Sequence, residues 1–154
     1  RMELKTEINA EEGRQDLLIT REFDLPTDLL FTAFIEPEIV EQWMGTKVIK
    51  LVPARYGSYQ FETTDPRGGI HRFSGTIHEI EPNKKITRTF EMENTPFPVQ
   101  LEFLAFEPLP GDKSRLTMHV IYKTVTDRDN MLRLPFAQGI NMAHNRLQQV
   151  FNNK

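Results

Sequence analysis

Apolar and polar residues alternate over 17–23, with Leu17, Ile19, Arg21 and Phe23 on one side and Leu18, Thr20 and Glu22 on the other. A period of two marks a strand with one buried face. Pro26 stops it and the spacing changes: Leu30, Phe31, Phe34 and Ile35 recur at helical intervals, with Thr27 or Asp28 placed to cap the helix. Pro37 suits the first turn of a second helix, where its missing N–H costs little; Ile39, Val40 and Trp43 share one side, and Gly45 ends it. From 47 to 123 the chain consists of short β-rich runs punctuated by turn residues. Six strands fit, over about 47–52, 56–64, 70–81, 85–93, 99–107 and 114–124, and their short links imply an antiparallel meander. Beyond Thr126, read as a cap, Met131, Leu132, Phe136, Ile140, Ala143, Leu147, Val150 and Phe151 predict a long closing helix, kinked or broken at Pro135.

The predicted order is strand, two short helices, six strands, long helix. That is an α+β pattern: a curved antiparallel sheet of seven strands must cover its concave face, and the C-terminal helix is the only element long enough to do so. A strongly bent sheet need not meet the helix along its whole length, which leaves space for a pocket with aromatic walls. No repeat or linker divides the chain. The reading is one domain over 15–154 behind a flexible, polar N-terminal tail over 1–14.

Composition narrows the function classes. A chain of 154 residues buries roughly two-thirds of its unfolded surface around one core. Lys and Arg number 19 against 22 Asp and Glu, a net charge of -3, so no basic field attracts nucleic acid. The absence of cysteine removes disulfides, thiolate metal sites and cysteine nucleophiles, and a cytoplasmic location is expected. The longest apolar stretch, 29–35, is seven residues, against the roughly 20 that span a bilayer. The polar segment 1–14 lacks the apolar region of a secretory signal.

Motifs that carry chemistry are sparse. His71 and His78, seven residues apart on one strand, fall on opposite faces unless a bulge intervenes, so no shared metal is expected. His119 and His144 stand singly and read as solvated or hydrogen-bonded. No G-x-S-x-G elbow, P-loop, dinucleotide fingerprint or H-E-x-x-H occurs, and Gly68 and Gly69 after Asp65 and Pro66 read as a hairpin turn. No catalytic residue and no cofactor is assigned.

Ten positions, Phe23, Asp24, Pro26, Leu30, Phe31, Ala33, Phe34, Pro37, Trp43 and Gly45, form a segment that resembles the opening of START-like domains related to the activator of the heat-shock-protein-90 ATPase. Gly57 after Arg55, Gly75, the run Glu79, Ile80, Pro82, then Phe106 to Pro108, Arg115 to Thr117, Arg128 to Met131, and Gly139, Asn141, Arg146 and Leu147 extend the resemblance over about 16–151. It implies the helix-grip fold of the polyketide cyclase-like superfamily, with a hydrophobic cavity between the sheet and the last helix. Three departures alter the cavity's shape: Ile140 stands where many relatives have Trp, Ser58 replaces the second glycine of an Arg-x-Gly-Gly turn, and Pro135 interrupts the helix. Gly139 is expected to let that helix approach closely.

The resemblance implies three kinds of function. The favoured one is binding of a small hydrophobic or amphipathic molecule, with an acidic head group as one variant. The others are a protein-interaction module acting on a chaperone ATPase and a cyclase-like enzyme, the latter weakened by the lack of an evident inward base. Phe90 and the family pattern direct Ile86, Arg88, Phe90 and Met92 inward, and the same pattern directs Glu102, Leu104 and Phe106 inward, so Glu102 can meet Arg88 across the sheet. A buried guanidinium needs a partner. Either Arg88 and Glu102 neutralise each other or reach solvent at the cavity rim, or Arg88 presents its planar fork to a ligand carboxylate or phosphate. The expected cavity lining is Trp43, Tyr59, Phe61, Phe73, Arg88, Phe90, Glu102, Leu104, Met118, Tyr122, Phe136 and Ile140. A slip of one residue would turn Leu101, Phe103 and Ala105 inward. Without the slip, Leu101 and Phe103, with Ile121, form an outer apolar patch that suggests a homodimer.

Overall fold

The computed structural model describes residues 4–152. The chain runs through β1 (Glu7–Asn9), β2 (Asp16–Phe23), α1 (Thr27–Ile35), α2 (Pro37–Met44), β3 (Lys47–Leu51), β4 (Ser58–Thr64), β5 (Ile70–Glu81), β6 (Lys85–Met92), β7 (Gln100–Leu109), β8 (Lys113–Ile121), α3 (Val125–Arg133) and α4 (Phe136–Asn152). The strands form one open antiparallel sheet in the order β1-β2-β8-β7-β6-β5-β4-β3, so β2 and β8 close the meander by pairing across nearly the whole chain. Register shifts interrupt the β3–β4 pairing between Val48 and Lys50, and the β5–β6 pairing between Ile77 and Glu79. Bulges of this kind bend a sheet and increase its twist.

The sheet has eight strands rather than the seven expected. The additional one, β1, lies within the stretch read as a flexible tail; residues 1–3 of that stretch are outside the described residues. β1 is only three residues long, too short to show alternation, and it exists because Ile8 pairs with Ile19 on the edge of β2.

One face of the sheet carries the core. Leu17, Ile19 and Phe23 of β2, Leu116, Met118 and Val120 of β8, and Leu104 and Phe106 of β7 are all buried. α1 lays Leu30, Phe31, Ala33 and Phe34 onto it, with Phe31 and Phe34 both set edge-on to Phe106. α2 packs between α1 and α4. Pro37 occupies its first turn, and Gly45 ends it at φ 63, a left-handed conformation that glycine adopts without a Cβ clash.

Local signals differ from the sequence reading at three points. α1 has no side-chain cap: Pro26 occupies the cap position, and Asp28 bonds only to the adjacent Leu29 N–H. The closing helix starts from Thr124 instead of Thr126, with Thr124 Oγ1 accepting the Asp127 N–H at 3.0 Å. At Pro135, by contrast, one of the two expected outcomes holds: the helix breaks into α3 and α4, since proline supplies no N–H to carry the ladder through. The third difference is a glycine. Gly139 is exposed, and a Cβ there would meet nothing within 4 Å, so it does not mediate close helix approach.

On the outer face, Leu18 and Phe103 are 37% and 38% exposed on either side of His119, with Leu101 and Ile121 half-buried beside them. Among the described residues no helix is long and apolar enough to cross a membrane.

Candidate functional site

The pairing of β6 with β7 sets Ile86 opposite Leu104, Arg88 opposite Glu102 and Phe90 opposite Gln100. No slip occurs: Glu102 and Leu104 are buried, and Phe103 faces out. Arg88 Nε donates to Glu102 Oε1 at 2.9 Å, and the two side chains are only 11% and 5% exposed. Gln100 Nε2 donates to the second carboxylate oxygen at 2.8 Å. Glu102 is therefore held through both oxygens, as a buried carboxylate must be. The Arg88 guanidinium lies 5.3 Å from the Tyr59 ring centroid and 6.0 Å from that of Phe34, within the range of cation–π attraction. Burial works against its charge, but Tyr59 and Glu102 facing it outweigh that and raise its pKa further.

Tyr59 is fixed by a contact across the neighbouring strand. Its hydroxyl donates to the Thr89 carbonyl of β6 at 2.5 Å, passing over Gly75 of β5, with which Tyr59 is paired. A Cβ at Gly75 would lie 2.5 Å from Tyr59 Oη and 2.0 Å from the Thr89 carbonyl oxygen. Only glycine leaves that path open. Gly75→Ala is therefore expected to destabilise the protein by about 1–3 kcal/mol through overpacking. Urea denaturation reads this directly, and a variant as stable as the parent would refute the constraint.

The structure distributes the remaining predicted residues unevenly. Phe61 lies beside Tyr59 at 5.1 Å, and Leu104 and Met118 are core. Phe73 and Phe90 stack at 5.7 Å and are only half-buried. Phe136 and Ile140, on the first half of α4, are also half-buried, whereas His144, Leu147 and Gln148 on its second half are buried. Tyr122 is 4% exposed, and its hydroxyl has no hydrogen-bond partner among the described residues. Burial raises its pKa, and the nearby Glu102 charge adds to the effect, so the phenol keeps its proton. Trp43 belongs to the helical layer: its indole N–H donates to the Ala33 carbonyl at 2.6 Å, and its ring packs on Phe34 at 5.3 Å. Phe34 thus stands between Trp43 and Arg88.

Two members of this group were not singled out in the sequence. Gln100 continues the period-two series Glu102, Leu104, Phe106, and extending that series one step would have found it. Phe34 read as part of a helical stripe and of the family-like opening segment, and nothing local shows that its ring meets Arg88. A second buried polar cluster joins distant segments: His144 Nδ1 meets Thr6 Oγ1 at 2.7 Å, and Arg21 Nη1 donates to Asn145 Oδ1 at 2.9 Å. Burial, with Arg21 nearby, holds the His144 pKa down at about 3. Arg128, also buried, ties α3 to the N-terminal segment by donating to the Glu11 and Asp16 carbonyls at 2.6 and 3.0 Å. The other histidines are peripheral: His71 bonds Asp65, His119 bonds Asp16, and His78 packs on Tyr56. Among the described residues no group of three or more His, Asp or Glu could hold a metal ion.

The chemistry of the inner-face group is hydrogen-bond donation from a fixed guanidinium between aromatic rings. Solved structures with the same fold set it in context. Protein Ms6760 from Mycobacterium smegmatis is 19% identical with a TM-score of 0.85, covering 95% of this chain and 96% of that one. A protein from Rhodobacter sphaeroides is 20% identical with a TM-score of 0.88, covering 97% and 99%. One from Arthrobacter aurescens is 16% identical with a TM-score of 0.86, covering 96% and 92%. At such identities the likeness establishes the fold alone. No curated protein sequence matches. The family described as Activator of Hsp90 ATPase homolog 1-like protein matches residues 24–152, from the end of β2 through α4. That span takes in every element around Arg88 and Glu102, and the chain belongs to this family.

Proposed function

We propose that this protein binds a small hydrophobic or amphipathic molecule between the inner face of the sheet and α4. The apolar part would lie against Phe73, Phe90, Phe136 and Ile140, and a polar head group would be turned towards Arg88. The observation that carries this reading is the state of Arg88. Its Nε is committed to Glu102, while Nη1 and Nη2 carry no hydrogen bond among the described residues, in a side chain that is only 11% exposed. A largely buried fork whose spare donors keep some access to solvent, beside half-buried aromatic rings, suits a ligand with one polar end. Family membership and the shared fold are consistent with it.

Trp43 is the single tryptophan and contacts the Arg88 group through Phe34, so its emission is a natural probe. Titration with aliphatic and aromatic acids and their uncharged analogues should give a saturable change in emission and a raised melting temperature. Arg88→Lys, which keeps the charge but loses the planar fork, should weaken the response. A flat emission and an unmoved melting temperature across the whole panel would rule the reading out.

The family's description supports one other reading, engagement of a chaperone ATPase. Stimulation of that ATPase by saturating protein, unaffected by Arg88→Lys, would favour it over ligand binding.

A further inference from the structure

Charge balance narrows what the inner-face group can receive. Arg88 and Glu102 are one cation and one anion in direct contact, and both carboxylate oxygens already have donors. A carboxylate or phosphate arriving at Arg88 would set a second anion against a single guanidinium in a low-dielectric interior, where like charges repel strongly. An uncharged oxygen acceptor meets no such opposition.

Two sources of donors face the same region. The first is the pair of Arg88 terminal nitrogens. The second is the hydroxyl of Tyr122, which lies one residue beyond Ile121 in the β8 series Met118, Val120, Tyr122. Val120 pairs with Glu102 and Ile121 with Leu101, so Tyr122 sits on the inner face one row from the Arg88–Glu102 pair. Among the described residues the hydroxyl is buried with no partner, a condition that buried O–H groups rarely show. Because it is shielded, an incoming oxygen must displace a neighbouring side chain to reach it.

We propose that the ligand's head group is an uncharged carbonyl oxygen (ketone, ester or amide) on an apolar chain or ring, received by the Tyr122 hydroxyl and the Arg88 Nη donors. This rests on the ligand-binding reading above and decides within it against an acidic head group.

Matched pairs test it: octanoate against octanamide, and benzoate against acetophenone, by calorimetric titration at neutral pH. The carbonyl member of each pair is expected to bind about tenfold more tightly than the acid, since a mismatched buried charge or polar group costs at least that much in affinity. Tyr122→Phe should lose about fivefold or more for the carbonyl ligands, with a melting temperature equal to or above that of the parent, because it removes only an unpaired hydroxyl. A merely structural tyrosine would not combine those two results. Acids binding as tightly as their carbonyl partners, or carbonyl affinity unchanged in Tyr122→Phe, would overturn the proposal and leave ligand binding intact. Silence from all four compounds and from the wider panel would remove ligand binding itself.

Discussion

Replacing Arg88 with Met lowers the free energy of unfolding by about 3–5 kcal/mol, because the substitution leaves the Glu102 carboxylate buried without its counter-ion. Gln100 still donates to one oxygen, but an amide cannot offset a full charge in a site where the carboxylate is 5% exposed. Converting the partner as well reverses the effect. The double variant Arg88→Met with Glu102→Leu should recover most of the loss, since apolar side chains of similar volume often replace a buried ion pair at little or no cost. Urea denaturation with the slope checked for constancy separates a stability change from a change in the denatured state. A single variant no less stable than the exposed control Arg55→Met would show that the pair is not buried in solution. The same double variant also bears on function: if the fold survives without the pair, stability does not explain its presence. Loss of ligand response in that folded variant would then tie the pair to binding.

Acid weakens the protein well above the range where carboxylates titrate. His144 is held at about 3 against an ordinary value of 6.5. Below 6.5 the unfolded chain therefore takes up a proton at this position that the folded chain refuses. Stability from this group is fully present above pH 6.5 and is lost as pH falls towards 3, up to a limit of about 5 kcal/mol. The cause is local. The imidazole is 1% exposed between the Phe23 and Trp43 rings, bonds Thr6, and has Arg21 nearby to oppose a second positive charge. Asp65, Glu79 and Glu93 are also held below their ordinary values, but the stability they contribute is lost only once pH falls into and through the carboxylate range. Unfolding free energies at a series of pH values between neutrality and the carboxylate range should thus fall steadily. His144→Gln should flatten the slope in that interval. An unchanged slope in the variant would contradict the assignment.

Particular elements show how far local pattern reaches. Alternation grouped Arg21 with Leu17, Ile19 and Phe23, Arg88 with Ile86 and Phe90, and Glu102 with Leu104 and Phe106; the family resemblance, with Phe90, turned the last two groups inward, and the pairing of β6 with β7 and the burial of Glu102 agree with that parity. Period-two patterning works there because one face of each strand is buried, and a single slip would expose the whole apolar row. β1 escaped notice because three residues carry no period, and it forms only where an edge of β2 is available. The caps were displaced because Thr124 and Thr126 offer the same hydroxyl, and only the path out of β8 decides which one meets the first turn of α3.

Amino-acid order by itself thus determined the α+β architecture, an interruption at Pro135, the helix stop at Gly45 and which residues share a strand face with Arg88 and with Glu102. These follow from periodicity, from proline's missing donor and from glycine's freedom at positive φ, all properties of neighbouring residues. Folding in three dimensions decided that Phe34 and Tyr59 flank the guanidinium, that Gly75 opens a path for Tyr59, that His144 is buried against Thr6, and that the Tyr122 hydroxyl has no partner among the described residues. Each of these joins side chains from separate elements, and whether a buried polar atom finds a partner depends on groups that only chain closure brings within reach.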